Sequence, residues 1–290
     1  AMSVPMVPAP MIAIIGAGTM GTDIAFATLT AGYTVRLHDI SMERAHASVA
    51  HITDRLNRYR ESGKIDPDTA AQASQSLHIC RAMEESCEAE FIIESVYEDL
   101  SVKREVFRSL DRLCAPHAVL ATSTSCISIT EIASATSRPE SVVGVHFMNP
   151  AHVMQLVEII PGIATTRETV ETAKSFVRSL GKTFVEAKDY PGFMLNRMLI
   201  PMINEAVYLL YEEAGTAEAI DKVMRLGLNL PMGPLALADM IGLDVVLAVA
   251  EEMHRGYSES KYRPCPLLKK YVAAGYLGEK TGRGFYIYND

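Results

Sequence analysis

A glycine-rich turn between a short apolar strand and a helix constrains this chain more than any other sequence feature. The run Met11–Ile15 predicts a buried strand, the letters GAGTMG follow it directly, and an apolar helix is predicted over Asp23–Ala31. In this order Gly16 permits a tight turn, Gly18 lets the backbone approach a pyrophosphate, and Gly21 lets the helix pack on the strand. The N–H groups at the start of such a helix attract phosphates. The pattern therefore predicts a Rossmann-type unit that binds a dinucleotide.

A carboxylate after the next strand indicates which dinucleotide is bound. Tyr33–Leu37 predicts the second strand, and Asp39 follows it at close to the expected spacing of about 20 residues from the last glycine. A carboxylate here hydrogen-bonds the ribose hydroxyls and repels a 2′-phosphate, so NAD is favoured over NADP. The alternative is an aspartate of a surface turn that binds nothing.

Composition excludes several classes of function. The chain has 290 residues, 49% of them hydrophobic and 21% charged, which is enough for a packed core in one or two domains. The net charge of −8 argues against nucleic acid or an anionic membrane as a partner. An odd, scattered set of five cysteines predicts reduced thiols, no metal site and a cytoplasmic protein. We expect no secretory signal at the start, whose prolines predict an extended lead-in, and no transmembrane segment.

The order of predicted elements gives an α/β fold class and two domains. Strands alternate with helices over residues 1–188, which predicts a doubly wound, mainly parallel sheet, interrupted by a helical hairpin over Ser41–Gly63 and Asp66–Gln75. Residues 189–290 predict an all-α domain that contributes to a dimer interface. The other predicted strands are Phe91–Glu94, Ala118–Ala121, Val142–His146, Met154–Ile160 and an edge strand Lys182–Glu186. The other predicted helices are Asp99–Leu113, Thr166–Leu180, Phe193–Ala214 with a kink at Pro201, Ala217–Leu226, Pro234–His254 and Pro266–Ala274.

The chemistry is predicted around a histidine that ends one of these strands. His146 ends the apolar run that starts at Val142, and strand ends are where ligands meet an open α/β sheet. Glu158 is a carboxylate between aliphatic residues on the following strand, and it needs a partner if it is buried. A carboxylate that accepts the imidazole N–H prepares the ring to act as a general base towards an alcohol. The alternative is that His146 is a structural histidine.

Three further polar features have both a functional and a structural interpretation. Ser125, in a hydroxyl-rich loop after a strand, is available to bind a substrate oxygen, although such hydroxyls often only cap a helix. Asn196, in the first turns of a helix, points into a cleft or lies on the helix surface. The hairpin carries a group of basic residues that either meets the phosphates of a coenzyme A substrate or is a solvated face; its members are Arg55, Arg58, Arg60 and Lys64.

Longer motifs resemble those of the L-3-hydroxyacyl-CoA dehydrogenases, in particular the short 3-hydroxybutyryl-CoA dehydrogenase type. The matching segments extend from Met11 to the C-terminus and read IAIIGAGTMG, IIESVYEDLSVK, ATSTSCISI, GVHFMNP, LVEIIPG, DYPGFMLNRML, MGPLALADMIGLD and LGEKTGRGFYIY. This resemblance implies NAD-dependent interconversion of L-3-hydroxyacyl and 3-ketoacyl thioesters, and a homodimer formed through the C-terminal helices.

The resemblance also implies a role for individual residues. It makes His146 the catalytic base and Glu158 its partner, and it places Ser125 and Asn196 on the reacting oxygen of the substrate. Asn149 lies beside the base, and the nicotinamide side of the cofactor is contacted by the pair Glu98 and Lys103. The expected cofactor contacts are Gly16, Gly18, Thr19, Met20, Gly21, Asp39, Glu98, Lys103, Ser125 and Asn149. The expected substrate contacts are Ser125, His146, Asn149, Asn196 and Lys64.

The chain departs from the family pattern near the predicted base. His152 replaces a proline and Gln155 replaces a lysine, and the serine-rich loop has Ser123 for an asparagine and Cys126 for a serine. These departures leave the acyl group and its carrier open. The alternatives are a hydroxyacyl group on a carrier protein, a free 3-hydroxy acid of the sugar-acid or carnitine type, and a cofactor-binding protein without catalysis.

Overall fold

This computed structural model describes residues 10–288, and the chain divides into two compact units after Asp189. The extended lead-in predicted for the first residues lies outside the described residues, apart from Pro10.

The first unit is organised around one sheet, whose strands lie in the order β3-β2-β1-β4-β5-β6-β7-β8. Neighbouring strands are parallel except for β6 and β7, which are antiparallel. This arrangement confirms the doubly wound, mainly parallel α/β fold class. The strands within residues 10–288 are β1 (Met11–Ile15), β2 (Thr34–His38), β3 (Leu77–Cys80), β4 (Phe91–Glu94), β5 (Val119–Thr122), β6 (Val142–Phe147), β7 (Leu156–Pro161) and β8 (Thr183–Glu186).

Helices connect most of the parallel strands of this unit, and polar side chains set where several of them begin. The side chains of Ser41, Asp66, Asp99, Ser128 and Thr166 each accept a backbone N–H in the first turn of α2, α3, α5, α6 and α7. The helices are α1 (Thr19–Thr30), α2 (Met42–Glu61), α3 (Pro67–Gln75), α4 (Met83–Ser86), α5 (Leu100–Leu113), α6 (Ile129–Ala133) and α7 (Arg167–Ser179). A short 3-10 turn also forms at Pro139–Ser141.

Helix α1 begins four residues earlier than predicted, because Gly18 is its N-cap and the helix follows the glycine turn directly. Helices α2 and α3 form the predicted hairpin. The structure adds β3 beside β2 at the sheet edge, where the sequence predicts no strand. A four-residue segment with half-buried positions carries too little periodic signal to be recognised.

The prediction of five reduced thiols is wrong for two of the cysteines. Cys87 follows α4 and Cys114 follows α5, and a disulfide joins them across a Cα–Cα distance of 4.5 Å. The two cysteines are 27 residues apart, a spacing that matches no known sequence motif for a disulfide. Packing of α4 beside α5 brings the two helix ends together, and only the tertiary fold reveals it.

The second unit is helical, with α8 (Leu195–Tyr211), α9 (Ala217–Gly227), α10 (Pro234–Ile241), α11 (Leu243–Tyr257) and α12 (Pro266–Ala273). Two 3-10 turns lie at Ser260–Tyr262 and Glu279–Thr281. The single helix predicted over Pro234–His254 is wrong: Gly242, at a φ of 102°, separates two helices. Helix α8 continues through Pro201.

The C-terminal aromatic segment is held by a buried carboxylate. Asp239 of α10 accepts the backbone N–H groups of Phe285 and Tyr286 at 2.9 and 3.0 Å and the hydroxyl of Tyr288 at 2.9 Å. Burial raises the pKa of Asp239 despite these hydrogen bonds. These hydrogen bonds hold the segment against α10, and the segment folds back on itself through the isolated bridge between Arg283 and Ile287. Among the helices of residues 10–288, none combines the length and apolar character needed to span a membrane.

Candidate active site

His146 and Glu158 form a buried pair on the antiparallel strands β6 and β7. They are direct cross-strand partners, so both side chains lie on the same face of the sheet. The ring Nδ1 lies 2.8 Å from Oε2 of the carboxylate, and the side chains are 6% and 1% exposed. Because Nδ1 faces an anion, it carries a proton and Nε2 becomes the nitrogen that accepts one. This geometry suits a general base.

The pair lies at the edge of the sheet where the strands that surround it also end. Strands β1, β4, β5 and β6 are mutually parallel, so their carboxyl ends share one edge. The glycine turn follows β1 there, the loop with Glu98 follows β4, and the loop with Ser125 follows β5. The sheet topology thus brings the predicted cofactor and substrate residues of this unit to one edge, where ligands bind in open α/β sheets.

The glycine turn leaves room for a phosphate at the start of α1. Gly16 has a φ of 108°, and a side chain there would overlap the backbone of Ser95. A side chain on Gly21 would overlap the carbonyl of Gly16. At Gly18, by contrast, an added Cβ would meet no described atom within 4 Å. Two glycines therefore permit close packing, and the third keeps open space over the helix start, beside half-buried Met20 and exposed Thr19.

Asp39 links the glycine turn to the start of α2. Its Oδ2 accepts the N–H of Ala17 and its Oδ1 accepts the N–H of Ser41, both at 2.8 Å. The carboxylate is therefore fixed beside the turn, as a ribose ligand requires.

Lys103 does not present its ammonium group to the surface. The side chain is 1% exposed, and Nζ lies 2.7 Å from Oε1 of Glu94 and 3.2 Å from Oε2 of Glu98. Burial lowers the pKa of Lys103, but the charges of Glu94 and Glu98 outweigh it and raise the pKa above its usual value. Lys103 therefore stays protonated and joins the two carboxylates.

Glu98 connects this buried network to the serine-rich loop. Its Oε1 accepts the hydroxyl of Thr124 at 2.5 Å and the N–H of Ser125 at 2.9 Å. Burial raises the pKa of Glu98, but Lys103 and these hydrogen bonds outweigh it and hold the pKa below its usual value. With a side chain 37% exposed, Glu98 is the member of the network that reaches the surface.

Glu94 is a site residue that the sequence interpretation missed. It is fully buried at the end of β4, where its carboxylate accepts the N–H of Val96 and the hydroxyl of Thr122, each at 2.7 Å, besides Lys103. A carboxylate that ends an apolar strand was the available signal, and it is the same kind of signal that identified Glu158.

One cation of the basic hairpin, Arg55, is buried in an ion pair and does not face solvent. Arg55 is buried, and Nη1 lies 2.6 Å from Oδ1 of Asp23 in α1. His152, which follows β6, lies 3.0 Å from the other oxygen of Asp23. For Arg55 neither interpretation of the basic group holds, a phosphate contact or a solvated face, because Arg55 neutralises a buried carboxylate. Lys64 is exposed, with Nζ 4.8 Å from the ring centre of Tyr59.

The remaining predicted residues lie near helix and strand ends. Asn149 is exposed and lies two residues after the end of β6, and its bond to Pro150 is cis. Asn196 is the second residue of α8, in the second unit, and is half-buried. The described residues contain no group of three or more histidine, cysteine or acidic side chains arranged to hold a metal ion.

Comparisons with known proteins agree along the whole described chain. A family model described as "3-hydroxyacyl-CoA dehydrogenase, NAD binding domain" matches residues 11–190, and one described as "3-hydroxyacyl-CoA dehydrogenase, C-terminal domain" matches residues 192–288. The chain is 49% identical to a probable 3-hydroxybutyryl-CoA dehydrogenase of Bacillus subtilis over 96% of this chain and 97% of that one. It is 46% identical to a 3-hydroxybutyryl-CoA dehydrogenase of Bradyrhizobium diazoefficiens over 96% and 94%. The crystal structure of (S)-3-hydroxybutyryl-CoA dehydrogenase from Ralstonia eutropha is similar with a TM-score of 0.94 and 40% identity, over 97% of this chain and 100% of that one.

Proposed function

Because the chain belongs to the 3-hydroxyacyl-CoA dehydrogenase family, we propose that it interconverts L-3-hydroxyacyl-CoA and 3-ketoacyl-CoA with NAD as its cofactor. The buried His146–Glu158 pair carries this proposal, since it supplies a base for an alcohol at the edge of a dinucleotide-binding sheet. The similar proteins are named for 3-hydroxybutyryl-CoA, which supports a short acyl chain.

The residues at the glycine turn fit the dinucleotide. Open space over Gly18, at the N-terminus of α1, accommodates a pyrophosphate next to backbone N–H groups, and Thr19 and Met20 border it. We assign Asp39 to the adenine ribose and Glu98 to the nicotinamide side, which is supported by the contacts of Asp39 with the glycine turn and of Glu98 with the serine-rich loop. The family resemblance implies a direct contact between Lys103 and the cofactor. We assign the buried Lys103 instead to positioning Glu98 through their ion pair.

The side chains then divide the chemistry among them. Bound NAD supplies the hydride acceptor. Nε2 of His146 removes the proton of the 3-hydroxyl group, and Glu158 stabilises the positive charge that the ring acquires. Ser125 and Asn196 hold the reacting oxygen, which carries partial negative charge in the transition state, and Asn149 positions the substrate beside the base. In the reverse direction the protonated His146 returns its proton to the keto oxygen.

The test is oxidation of NADH by acetoacetyl-CoA, which is measured as the loss of NADH absorbance. Parallel reactions contain the acetoacetyl group on an acyl-carrier protein and as the free acid. Turnover with acetoacetyl-CoA at the highest kcat/KM supports the proposal. Turnover with only the carrier-protein thioester, or with only the free acid, would show that this compound and not the coenzyme A thioester is the substrate. No turnover with any of the three would overturn the proposed function.

Lys64, exposed on the hairpin, is the proposed contact for the phosphates of coenzyme A.

We also propose that the second unit forms a homodimer. Its helices leave many large apolar side chains exposed, more than isolated surface residues require. These are Met198, Leu209, Val223, Leu226, Leu228, Met240 and Val245. Leu226→Glu should halve the mass measured by light scattering, and Ile163→Glu, at another exposed apolar position in the first unit, should not. A monomeric parent protein would contradict the dimer.

A cytoplasmic location stays a prediction of the sequence.

A further inference from the structure

Asp39 is enclosed by three donors. Besides the N–H groups of Ala17 and Ser41, the guanidinium of Arg44 lies against the carboxylate, with Nη1 3.3 Å from Oδ1 and 3.5 Å from Oδ2. The carboxylate is almost completely buried, whereas the side chain of Arg44 is 57% exposed. Arg44 is therefore the donor at the solvent side of the group that a ribose must reach.

This arrangement has two consequences for a nucleotide. A ribose hydroxyl that donates to Asp39 must take a lone pair that Arg44 now occupies, so the guanidinium has to move aside. Arg44 lies in the first turn of α2 and is mostly exposed, so it can turn outward without breaking another described contact of its side chain. It would then remain close to a ribose bound at Asp39, and a planar cation can bind a phosphate on that ribose through two hydrogen bonds.

We propose that Arg44 is a specificity-determining residue, and that it is a 2′-phosphate ligand kept inactive by Asp39. In the parent protein Asp39 neutralises Arg44 and repels a 2′-phosphate, so NAD is preferred. Without the carboxylate, the two N–H groups and the guanidinium surround a space that suits an anion. The choice between NAD and NADP thus depends on the pair and not on Asp39 alone. This inference rests on the dinucleotide-binding part of the proposed function.

The experiment measures binding of the adenosine halves of the two cofactors, 5′-AMP and 2′,5′-ADP, by isothermal titration calorimetry. Asp39→Ser should tighten 2′,5′-ADP binding at least about tenfold relative to the parent, because a charged hydrogen-bonding partner is gained and a repulsive charge is lost. Adding Arg44→Ala to Asp39→Ser should remove the part of that gain that Arg44 provides, and so should weaken 2′,5′-ADP binding relative to Asp39→Ser alone. The matched control adds Arg58→Ala instead, an exposed arginine of the same helix that pairs with Asp54, and should keep the gain.

The outcomes separate this inference from the proposed function. If the Asp39→Ser protein binds 2′,5′-ADP equally well with and without Arg44, the role of Arg44 is overturned. Binding of 5′-AMP by the parent protein would still support the proposed nucleotide site. A parent protein that binds neither compound overturns both. If Asp39→Ser does not fold, Asp39→Asn removes the charge but keeps an acceptor, and the same comparison with Arg44→Ala applies. The gain should also weaken as salt is raised, which a purely structural role of Arg44 would not produce.

Discussion

Glu158 lies directly across the antiparallel strand pair from His146, and its carboxylate oxygen is 2.8 Å from the ring Nδ1. Strand β6 turns back into β7 after a short connection, so the two residues meet through backbone register and not through flexible loops. A pair on two strands is held more precisely than one on loops, which favours a base that must meet its substrate in one orientation.

Replacing the proposed base, His146, should separate chemistry from cofactor binding. His146→Gln should lower kcat by about 10²- to 10⁴-fold, the usual contribution of general acid–base catalysis, while the Kd for NADH from a fluorescence titration stays near the parent value. His117→Gln is the matched control, because His117 forms an exposed pair with Glu90 at 3.3 Å. Unchanged turnover in His146→Gln would remove this residue from the mechanism.

Glu158 should act through His146 and not independently of it. Glu158→Gln should lower kcat by about tenfold or more, since the ring loses the anion that stabilises its protonated form. The double variant His146→Gln/Glu158→Gln should be no slower than His146→Gln alone, because residues that work as a unit are not additive. Steady-state kinetics of the four proteins test this, and multiplicative losses would contradict the assigned pairing.

Substitutions of Gly18 and Gly21 in the turn should have different effects. Gly18→Ala should fold with a Tm close to the parent, because its Cβ meets no described atom within 4 Å, but should weaken NADH binding by about tenfold through loss of a phosphate contact. Gly21→Ala should cost about 1–3 kcal/mol of stability, because its Cβ overlaps the carbonyl of Gly16. Thermal unfolding and NADH titration distinguish the two effects. Equal losses of Tm would contradict the assigned roles.

The ion pair of Glu98 with Lys103 should make stability depend on pH. The pKa of Glu98 is below its ordinary value of 4.5 in the folded protein, so its stabilisation is complete above about pH 4.5 and is lost as the pH falls through the folded-state pKa. The Tm difference between the parent and Glu98→Gln should therefore be largest near neutral pH and shrink in acid. At neutral pH Lys103 is protonated in the parent protein, since the charges of Glu94 and Glu98 raise its pKa.

The control for this measurement is Glu105→Gln, whose carboxylate forms an exposed pair with Arg108 at 3.2 Å. Exposed pairs contribute little, so its Tm difference should be small at every pH. A Tm difference for Glu98→Gln that stays constant from pH 3 to pH 8 would show that the charge of Glu98 does not stabilise the fold.

The sequence by itself indicated the family, through the resemblance of long motifs spread along the chain, and also the fold class and both members of the central pair. The fold class and the pair depend on local order: a strand, a glycine turn and a helix in succession, helix-capping side chains such as Asp66 and Ser128, and a carboxylate set among aliphatic residues at Glu158. Each is recorded within a few residues of chain, so periodicity and spacing are enough to find it.

Only the tertiary structure decided where the long charged side chains and the cysteines point. Lys103 and Arg55 lie on helices whose pattern is compatible with solvent exposure. Both are buried because Glu94 and Asp23, which lie on other elements of the fold, offer buried carboxylates. Cys87 and Cys114 meet because two helix ends pack together. Partners on different elements leave no periodic signal, and so burial of charge depends on packing that no local pattern describes.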